Sequence, residues 1–221
     1  MLEVRTGRGK NALDLRVREA LFAVIQEPET SLHAVVLAAG SASRFGAPKQ
    51  LARFAGQPLL QRAVSHAVAV AGSAVSVVLG AHAAEVAPLL RNTPATTLVN
   101  RDWAEGIGSS LRAAMRQLPG TCDGLLVMLG DQPAVTSEDL RRLVAAWRTR
   151  PDAIVAAAYS GIDGVPAIFP RWCFSELSAL RGDTGARAVI RRHRDRLVRV
   201  PMASAALDID TPEDLAGLQP P

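Results

Sequence analysis

The chain has 221 residues, a length that suits one ordinary α/β domain with room for a buried core. Apolar residues make up 48% of the composition and aromatic residues 4%, which excludes a disordered chain and favours a compact protein rich in Ala, Val and Leu. The formal net charge is +4, and among the 25 basic residues only Lys10 and Lys49 are lysines.

The sequence carries no sign of membrane insertion or secretion. Its apolar runs are too short to span a membrane, and residues 1–32 lack the uninterrupted apolar stretch and small-residue cleavage site of a signal peptide. We therefore expect a cytoplasmic protein with no membrane partner. Two cysteines, Cys122 and Cys173, are too few for a disulfide framework or a zinc site, and we expect them to be packing residues.

Strands and helices are predicted to alternate along most of the chain. Residues 1–32 are predicted as an extension with a helix over Asp14–Glu27, residues 33–217 as one domain, and residues 218–221 as a frayed tail. The predicted strands are His33–Ala39, Val75–Leu79, Thr96–Val99, Leu125–Leu129 and Leu197–Val200. The predicted helices are Pro58–Ala71, Ala83–Arg91, Ile107–Leu118 and Ser137–Arg148.

Beyond Asp152 the alternation loosens. Ile154–Ala158 and Pro166–Phe169 are expected to pair across a turn at Gly161–Gly164, and two helices follow before the last strand. Apolar strands separated by helices predict an α/β, Rossmann-like fold, with a mostly parallel sheet covered by helices on both faces. In such sheets ligands bind beyond the carboxyl ends of the strands, so the turns at that edge are the candidate site.

The first such turn lies within VVLAAGSASRFGAPKQ, residues 35–50. Gly40 lets the backbone approach an anion closely, Ser41 adds a hydroxyl donor, and Arg44 and Lys49 supply two differently shaped cations for a triphosphate. No Asp or Glu occurs over residues 30–84, so the local field favours an anionic ligand. The spacing matches neither the P-loop nor the G-x-G-x-x-G dinucleotide pattern. A glycine-rich turn with solvated charges is the alternative.

Two acidic segments are candidate magnesium ligands. In LLVMLGDQP, Asp131 directly follows an apolar strand, where a carboxylate can bind Mg²⁺ or simply accept hydrogen bonds in an Asx-turn. In LDIDTPEDL, Asp208 and Asp210 point to the same side if the segment is extended, and either could be a second ligand. The residues that follow predict a helix start, with Thr211 as N-cap, Pro212 in the first turn and Asp214 in a capping box.

The segment VNRDWAEGIGSSL is a further candidate for nucleotide contact. Asn100 ends a predicted strand, and Ser109 and Ser110 lie at the start of a predicted helix. Their polar groups could bind a base edge or a phosphate. A helix N-cap is the alternative for either serine.

These residues carry a resemblance to a known family. LAAGSASRFGAPKQ resembles the signature L-A-A-G-x-S-x-R-x-G-x-x-K of the sugar-phosphate and pterin nucleotidyltransferases. VNRDWAEGIGSSL, LGDQP, GDTGAR and DIDTPEDL follow in the family order, so residues 34–215 are similar to the molybdenum cofactor cytidylyltransferases. The resemblance implies a single nucleotidyltransferase domain over residues 33–217.

The resemblance also implies a reaction and its residues. CMP would pass from CTP to the terminal phosphate of the molybdopterin-bound molybdenum cofactor, with Mg²⁺ as cofactor, giving molybdopterin cytosine dinucleotide and pyrophosphate. Arg44, Lys49 and Asp131 would be catalytic, and the metal would bind Asp131 with Asp210 or Asp208. The nucleotide-binding residues would be Leu37, Ala38, Ala39, Gly40, Ser41, Arg44, Lys49, Asn100, Ser109 and Ser110. Related guanylyltransferases tend to carry L-A-G-G here, so Ala39 favours CTP over GTP.

The acceptor side rests on GIDGVPAIF (161–169) and RGDTGAR (181–187), which resemble acceptor segments of the family. They suggest Gly164, Pro166, Asp183 and Arg187 as acceptor-binding residues, although Val165 stands where many relatives have histidine. A molybdoenzyme or its maturation chaperone is an expected partner. Nucleic acid is not expected, because no aromatic residue for base stacking follows Phe174.

Two other interpretations stay open. One is a guanylyltransferase or another nucleotidyltransferase that acts on a different phosphate acceptor, such as a sugar or polyol phosphate. The other is a nucleotide-binding chaperone that hands the cofactor to its target enzyme. Release of pyrophosphate separates an enzyme from a chaperone, and base preference separates the transferases.

Overall fold

A computed structural model describes residues 30–218 of the chain. The helix expected over Asp14–Glu27 and the last three residues of the tail lie outside the described residues. The described strands are β1 Leu32–Ala38, β2 Arg53–Phe54, β3 Gln57–Pro58, β4 Val75–Leu79, β5 Thr96–Val99, β6 Gly124–Leu129, β7 Ile154–Tyr159, β8 Ile162–Pro170 and β9 Leu197–Pro201. The described helices are α1 Leu59–Ala71, α2 Ala83–Val86, α3 Ile107–Arg116, α4 Ser137–Thr149, α5 Phe174–Ala179, α6 Arg187–Arg192 and α7 Pro212–Ala216.

Seven of the strands form one sheet in the order β5-β4-β1-β6-β8-β7-β9. β8 runs antiparallel to both of its neighbours, and the other pairings of the sheet are parallel. The chain moves from β1 outward through β4 and β5, then crosses back to β6 on the other side of β1. This reversal brings the turns after β1 and β6 together, at the position where open α/β sheets bind ligands.

Alternate residues of β1 face two separate hydrophobic clusters. Ala34 and Val36 pack into the cluster that contains residues of α1 and α4, while Val35 and Leu37 pack into the cluster that contains residues of α3 and α6. Both faces of the sheet are therefore buried, which explains the nearly continuous apolar sequence of β1. The expected mostly parallel sheet covered by helices on both faces is confirmed.

Two local expectations were wrong. The helix expected over Ala83–Arg91 is α-helical only to Val86 and continues as a 3-10 turn over Ala87–Leu90, because Pro88 has no N–H to donate to the carbonyl four residues earlier. The turn between β7 and β8 is formed by Ser160 and Gly161, which both have positive φ angles, and not by 161–164. Among the described residues, no helix has the length and apolar character to cross a membrane.

Gly124 shows how closely the helices pack on the sheet. It is the first residue of β6, and a Cβ there would overlap the indole of Trp147 on α4. Trp147 is fully buried, and its indole N–H donates to the carbonyl of Pro151 at 3.2 Å. Moving the indole would therefore break its packing and its hydrogen bond, so the Trp147 side chain is held in place.

We expect Gly124→Ala to destabilise the protein by about 1–3 kcal/mol, because the added methyl overpacks the site against a fixed indole. Urea denaturation monitored by tryptophan fluorescence measures this loss. Gly120→Ala is the matched control, since a Cβ there meets nothing within 4 Å. Equal stability of the two variants would contradict this account of the packing.

Candidate functional site

A cleft of about 440 Å³ opens at the carboxyl ends of β1 and β6. The turn after β1, the end of β6 and the start of α3 all contribute to its lining. Its lining residues include Leu37, Ala38, Ala39, Gly40, Ser41, Arg44, Lys49, Ser110, Asp131, Asp183 and Asp210. The structure thus brings together most of the nucleotide- and metal-site residues predicted from the sequence.

The turn after β1, residues 39–48, is called the phosphate turn after the ligand expected from its sequence, and Gln50 holds it in place. The amide of this buried side chain donates to the carbonyls of Ala38 at 2.9 Å and Gly40 at 3.3 Å. Ala42, which stands where the family signature has serine, adopts a positive φ of 52°, and its carbonyl accepts from the N–H of Phe45 at 2.9 Å. The turn is therefore a defined structure before any ligand arrives.

Lys49 lies at the centre of the charged part of the cleft. Its ammonium lies 2.6 Å from Asp131 Oδ2 and 3.1 Å from Asp210 Oδ1, and it donates to the carbonyl of Ile209 at 2.9 Å. Burial alone would lower the pKa of Lys49, but the charges and hydrogen bonds of Asp131 and Asp210 raise it above its ordinary value. Lys49 is therefore a cation at neutral pH that joins the β1 turn, the end of β6 and the C-terminal segment.

Arg44 is positioned more loosely. Its guanidinium lies 3.2 Å from Asp210 Oδ2, and the side chains are 77% and 49% exposed. Exposed ion pairs of this kind contribute little free energy because water and salt screen them. Arg44 can therefore leave Asp210 at little cost when an anionic ligand enters the cleft.

The carboxylates of Asp131 and Asp210 suit a divalent cation whose other coordination positions are filled by a bound ligand. Asp131 Oδ1 is buried and has no hydrogen-bond partner, and Asp131 and Asp210 contact the same ammonium. Within residues 30–218 no group of three or more His, Cys, Asp or Glu side chains could hold a metal alone. Mg²⁺ usually takes one or two carboxylates and fills its other positions with water and phosphate oxygens, so the donor set suits a metal–nucleotide complex.

Asp208 differs from the other two carboxylates. Desolvation and the nearby charge of Asp131 raise its pKa above the ordinary value, although a hydrogen bond from Gln132 acts in the opposite direction. Asp208 does not line the cleft, whereas Asp210 does. Asp210 is therefore the better placed second ligand of the two.

Asn100, Ser109 and Ser110 form a buried network. The Asn100 amide donates to the hydroxyls of Ser109 at 2.8 Å and Ser110 at 3.2 Å, and Ser109 donates to the carbonyl of Gly106 at 2.8 Å. Ser110 lines the cleft, while Asn100 and Ser109 do not. Neither serine is a helix N-cap, because α3 begins at Ile107 with Gly106 in the cap position.

The wall opposite the phosphate turn contains residues that the sequence did not single out. Trp103 and Ile107 line the cleft beside Gly106, whose positive φ of 116° favours glycine. A Cβ at Gly106 would overlap Asp183 and the backbone of Gly182. The nucleotide side and the 181–187 segment are therefore in direct contact, and Asp183 lines the nucleotide cleft.

A salt bridge fixes that contact. Arg112 on α3 pairs with Glu105 and also donates to the carbonyl of Leu180 at 2.7 Å, while Glu105 accepts from the N–H of Gly182 at 3.3 Å. The N–H of Gly108 donates to the carbonyl of Gly182 at 2.9 Å. The loop that carries Asp183 and leads into α6 at Arg187 is thereby tied to the start of α3.

On the expected acceptor side, the Tyr159 hydroxyl packs closely against Gly164. Gly164 and Pro166 are buried in β8, and a Cβ at Gly164 would lie 2.6 Å from the Tyr159 hydroxyl. Desolvation and the charge of Asp208 raise the pKa of Tyr159, and Arg187 acts in the opposite direction. The half-buried Tyr159 and the exposed Arg187 are therefore the side chains that this region offers a ligand.

Comparison with known proteins places the chain among nucleotidyltransferases. A model of the MobA-like NTP transferase domain matches residues 34–197. The chain is 32% identical to nicotine blue oxidoreductase of Paenarthrobacter nicotinovorans over 192 residues, covering 82% of this chain and 93% of the relative. It is 25% identical to molybdenum cofactor cytidylyltransferase of Escherichia coli K12 over 186 residues, covering 84% and 94%.

Solved structures agree with this assignment. Rv0371c of Mycobacterium tuberculosis H37Rv superposes with a TM-score of 0.75 at 31% identity, covering 86% of this chain and 97% of that chain. The same protein in a complex with manganese superposes with a TM-score of 0.72 at 30% identity, covering 86% and 98%. A related chain of the same fold therefore binds a divalent cation.

We expect Lys49→Met to increase the response of the free protein to Mg²⁺, because the variant frees two carboxylates that the ammonium neutralises in the wild type. In a thermal-denaturation series with 10 mM Mg²⁺ and no nucleotide, the variant should gain about 2–4 °C more than the wild type. The double variant Lys49→Met/Asp131→Asn is the control and should lose this gain. Equal shifts for wild type and single variant would show that Lys49 does not compete with a cation.

Proposed function

The chain belongs to the MobA-like NTP transferase domain family, and we propose that it transfers CMP from CTP to the terminal phosphate of the molybdopterin-bound molybdenum cofactor. The observation that carries the proposal is the meeting of the glycine turn, Lys49 and Asp131 in one cleft at the edge of the sheet. The products would be molybdopterin cytosine dinucleotide and pyrophosphate. The whole reaction would take place in the cytoplasm.

The cationic side chains suit a triphosphate. Lys49 presents a compact, largely buried ammonium to the cleft, and Arg44 presents an exposed planar guanidinium. A triphosphate that enters would draw Arg44 away from Asp210, since their exposed ion pair costs little to break. Lys49 would stay beside Asp131 and add the β- or γ-phosphate oxygens to its contacts.

Group transfer in this cleft needs positioning more than acid–base chemistry. An oxygen of the acceptor phosphate attacks the α-phosphorus, a new P–O bond forms, and the bond to the bridging oxygen breaks so that pyrophosphate leaves with the electron pair. The nucleophile is already an anion, so the reaction requires no general base. Mg²⁺, which Asp131 and Asp210 would hold, supplies neutralisation of the charge that builds up on the phosphate oxygens.

The preference for CTP rests on the space beside Ala39, which directly follows β1 and lines the cleft. Ala39 is buried, and Gly80 packs so closely beneath it that a Cβ at Gly80 would lie 2.8 Å from the Ala39 Cβ. Ala39 therefore cannot shift towards Gly80 to enlarge the cleft, and its methyl group reduces the space available to a nucleotide base. This favours the smaller pyrimidine over guanine, in line with the similarity to the Escherichia coli cytidylyltransferase.

The acceptor would approach from the Tyr159 side. The Tyr159 ring offers a flat apolar surface for a heterocycle such as a pterin, and the Arg187 guanidinium offers a partner for its phosphate. Asp183 lies where this region meets the nucleotide cleft. A molybdoenzyme or its maturation chaperone would then receive the finished cofactor.

The similarity to nicotine blue oxidoreductase favours a second candidate, an oxidoreductase. Two features of the cleft argue for nucleotidyl transfer instead. The turn after β1 lacks the G-x-G-x-x-G pattern of dinucleotide-binding folds, and carboxylates lie beside the phosphate turn, where a metal-dependent transferase needs them. Release of pyrophosphate from CTP distinguishes the transferase from the oxidoreductase and from a nucleotide-binding chaperone.

We expect CTP with Mg²⁺ to stabilise the wild-type protein more than GTP, UTP or ATP does. A ligand that binds only the folded state raises the melting temperature by mass action, so thermal shifts rank the affinities without the unstable pterin. At about one hundred times its Kd, CTP should contribute about 2.7 kcal/mol. A larger shift with GTP would favour guanylyl transfer, and no shift with any nucleotide would remove the basis of the proposal.

We expect Asp131→Asn to lower Mg²⁺-dependent pyrophosphate release by at least about 100-fold, because the amide loses the charge that holds the cation at the transferring phosphate. A coupled pyrophosphate assay with CTP and the molybdopterin cofactor measures the rate. Asp195→Asn, an exposed carboxylate on the 3-10 turn 194–196, is the matched control and should retain the wild-type rate. Unchanged turnover in Asp131→Asn would remove Asp131 from the metal site.

A further inference from the structure

The carbonyl groups at the start of the phosphate turn all bond to the protein. The Gln50 amide donates to the carbonyls of Ala38 and Gly40, and the N–H of Ala81 donates to the carbonyl of Ala39 at 3.2 Å. The carbonyl of Ser41, the next in line, is 3.0 Å from Nε2 of His82. His82 is thus the side chain that secures the peptide unit between Ser41 and Ala42.

His82 reaches the turn from outside the cleft. It lies between β4 and α2, its side chain is 26% exposed, and it is not a lining residue of the cleft, whereas Ser41 and Ala42 are. In a trans peptide unit the C=O and the N–H point in opposite directions. Because the Ser41 carbonyl faces His82, which does not line the cleft, the N–H of Ala42 points away from His82.

The two partners of the imidazole are both acceptors. Nε2 contacts the Ser41 carbonyl at 3.0 Å, and Nδ1 contacts Glu85 Oε1 at 3.2 Å. A neutral imidazole has one N–H and can satisfy only one of these acceptors, whereas an imidazolium donates to both. The geometry is therefore that of a charged His82.

We propose that protonated His82 is a positioning residue for nucleotide binding: it holds the Ser41–Ala42 peptide so that the Ala42 N–H faces the triphosphate. The proposal rests on the function proposed above. It adds a pH-dependent element to the site, because a neutral ring must give up either the turn or Glu85. Ala42 has a positive φ, which is a strained backbone conformation for alanine, so the orientation of this peptide unit needs support from neighbouring groups.

The electrostatic surroundings of His82 act in the same direction. The hydrogen bond to the Ser41 carbonyl and the contact with Glu85 raise its pKa above the ordinary value, and slight desolvation opposes them. Glu85 on α2 is the charged group that faces the ring, and the phosphate turn presents a backbone carbonyl to it. The support is complete below the pKa of His82 and weakens as the pH rises through it, because the neutral ring keeps the Ser41 contact only while its single proton is on Nε2, so nucleotide binding should weaken in the same interval.

The test compares the affinity for Mg·CTP of wild type and His82→Gln by calorimetry between pH 6 and pH 9. Ionisation of the nucleotide itself is common to both proteins and cancels in the ratio of their Kd values. At pH 6 the variant should bind about tenfold more weakly, the loss expected for one charge-assisted hydrogen bond, and the ratio should fall as the pH rises to 9. A ratio that does not change with pH would overturn the proposal.

Glu85→Gln provides a second variant that leaves the imidazole in place. The loss of the negative charge should lower the pKa of His82, which NMR measures from the ring resonances without nucleotide. The pH dependence of Mg·CTP binding should move to lower pH by the same amount. Glu138→Gln is the matched control, because Glu138 also pairs with a residue three positions later, Arg141, on an exposed helix face. A shift in His82 pKa without a shift in the binding profile would contradict the proposal.

The outcomes separate this inference from the proposed function. If the wild type binds Mg·CTP and the variants keep its pH profile, the role of His82 is wrong and the function stands. If the wild type binds no nucleotide at any pH, the proposed function fails, and with it the role of His82 in binding.

Discussion

The site depends on the contacts that the Lys49 ammonium makes with two carboxylates and one backbone carbonyl. The ammonium neutralises Asp131 at the end of β6 and Asp210 in the C-terminal segment, and it bonds the carbonyl of Ile209. The N–H of Ile209 in turn donates to the carbonyl of Asp131 at 3.0 Å. Segments far apart in the chain therefore meet around one charge, and removing that charge would leave half-buried carboxylates facing each other.

Much of the fold and part of the site could be predicted from the sequence because their signals are local. The apolar runs identified the sheet, and Thr211 with Asp214 correctly predicted a capping box. Parallel strands end at a common edge, so the turns after β1 and β6 could be expected to meet. Asp131 and Lys49 could be named as candidates because each stands out against its immediate neighbours in the chain, and the structure places them side by side in the cleft.

Other parts of the site depend on contacts between distant segments, which leave no local signal. Nothing near His82 indicates that its ring reaches the Ser41 carbonyl, and nothing near Tyr159 indicates that it covers Gly164. For Ser109 the sequence left open a ligand contact or a helix N-cap, yet the side chain lies inside the first turns of α3 and accepts a hydrogen bond from Asn100. Local polarity cannot distinguish a buried hydrogen-bond network from a ligand contact.

The choice of lysine at position 49 follows from the same geometry. The chain uses arginine almost everywhere else, with Lys10 and Lys49 its only lysines. An ammonium directs three donors from one atom, and here three acceptors surround it: Asp131 Oδ2, Asp210 Oδ1 and the Ile209 carbonyl. A guanidinium spreads its donors along a planar fork and would push these segments apart. A compact charge that can be shared with a phosphate is therefore required at this point, while the more exposed Arg44 can be a guanidinium.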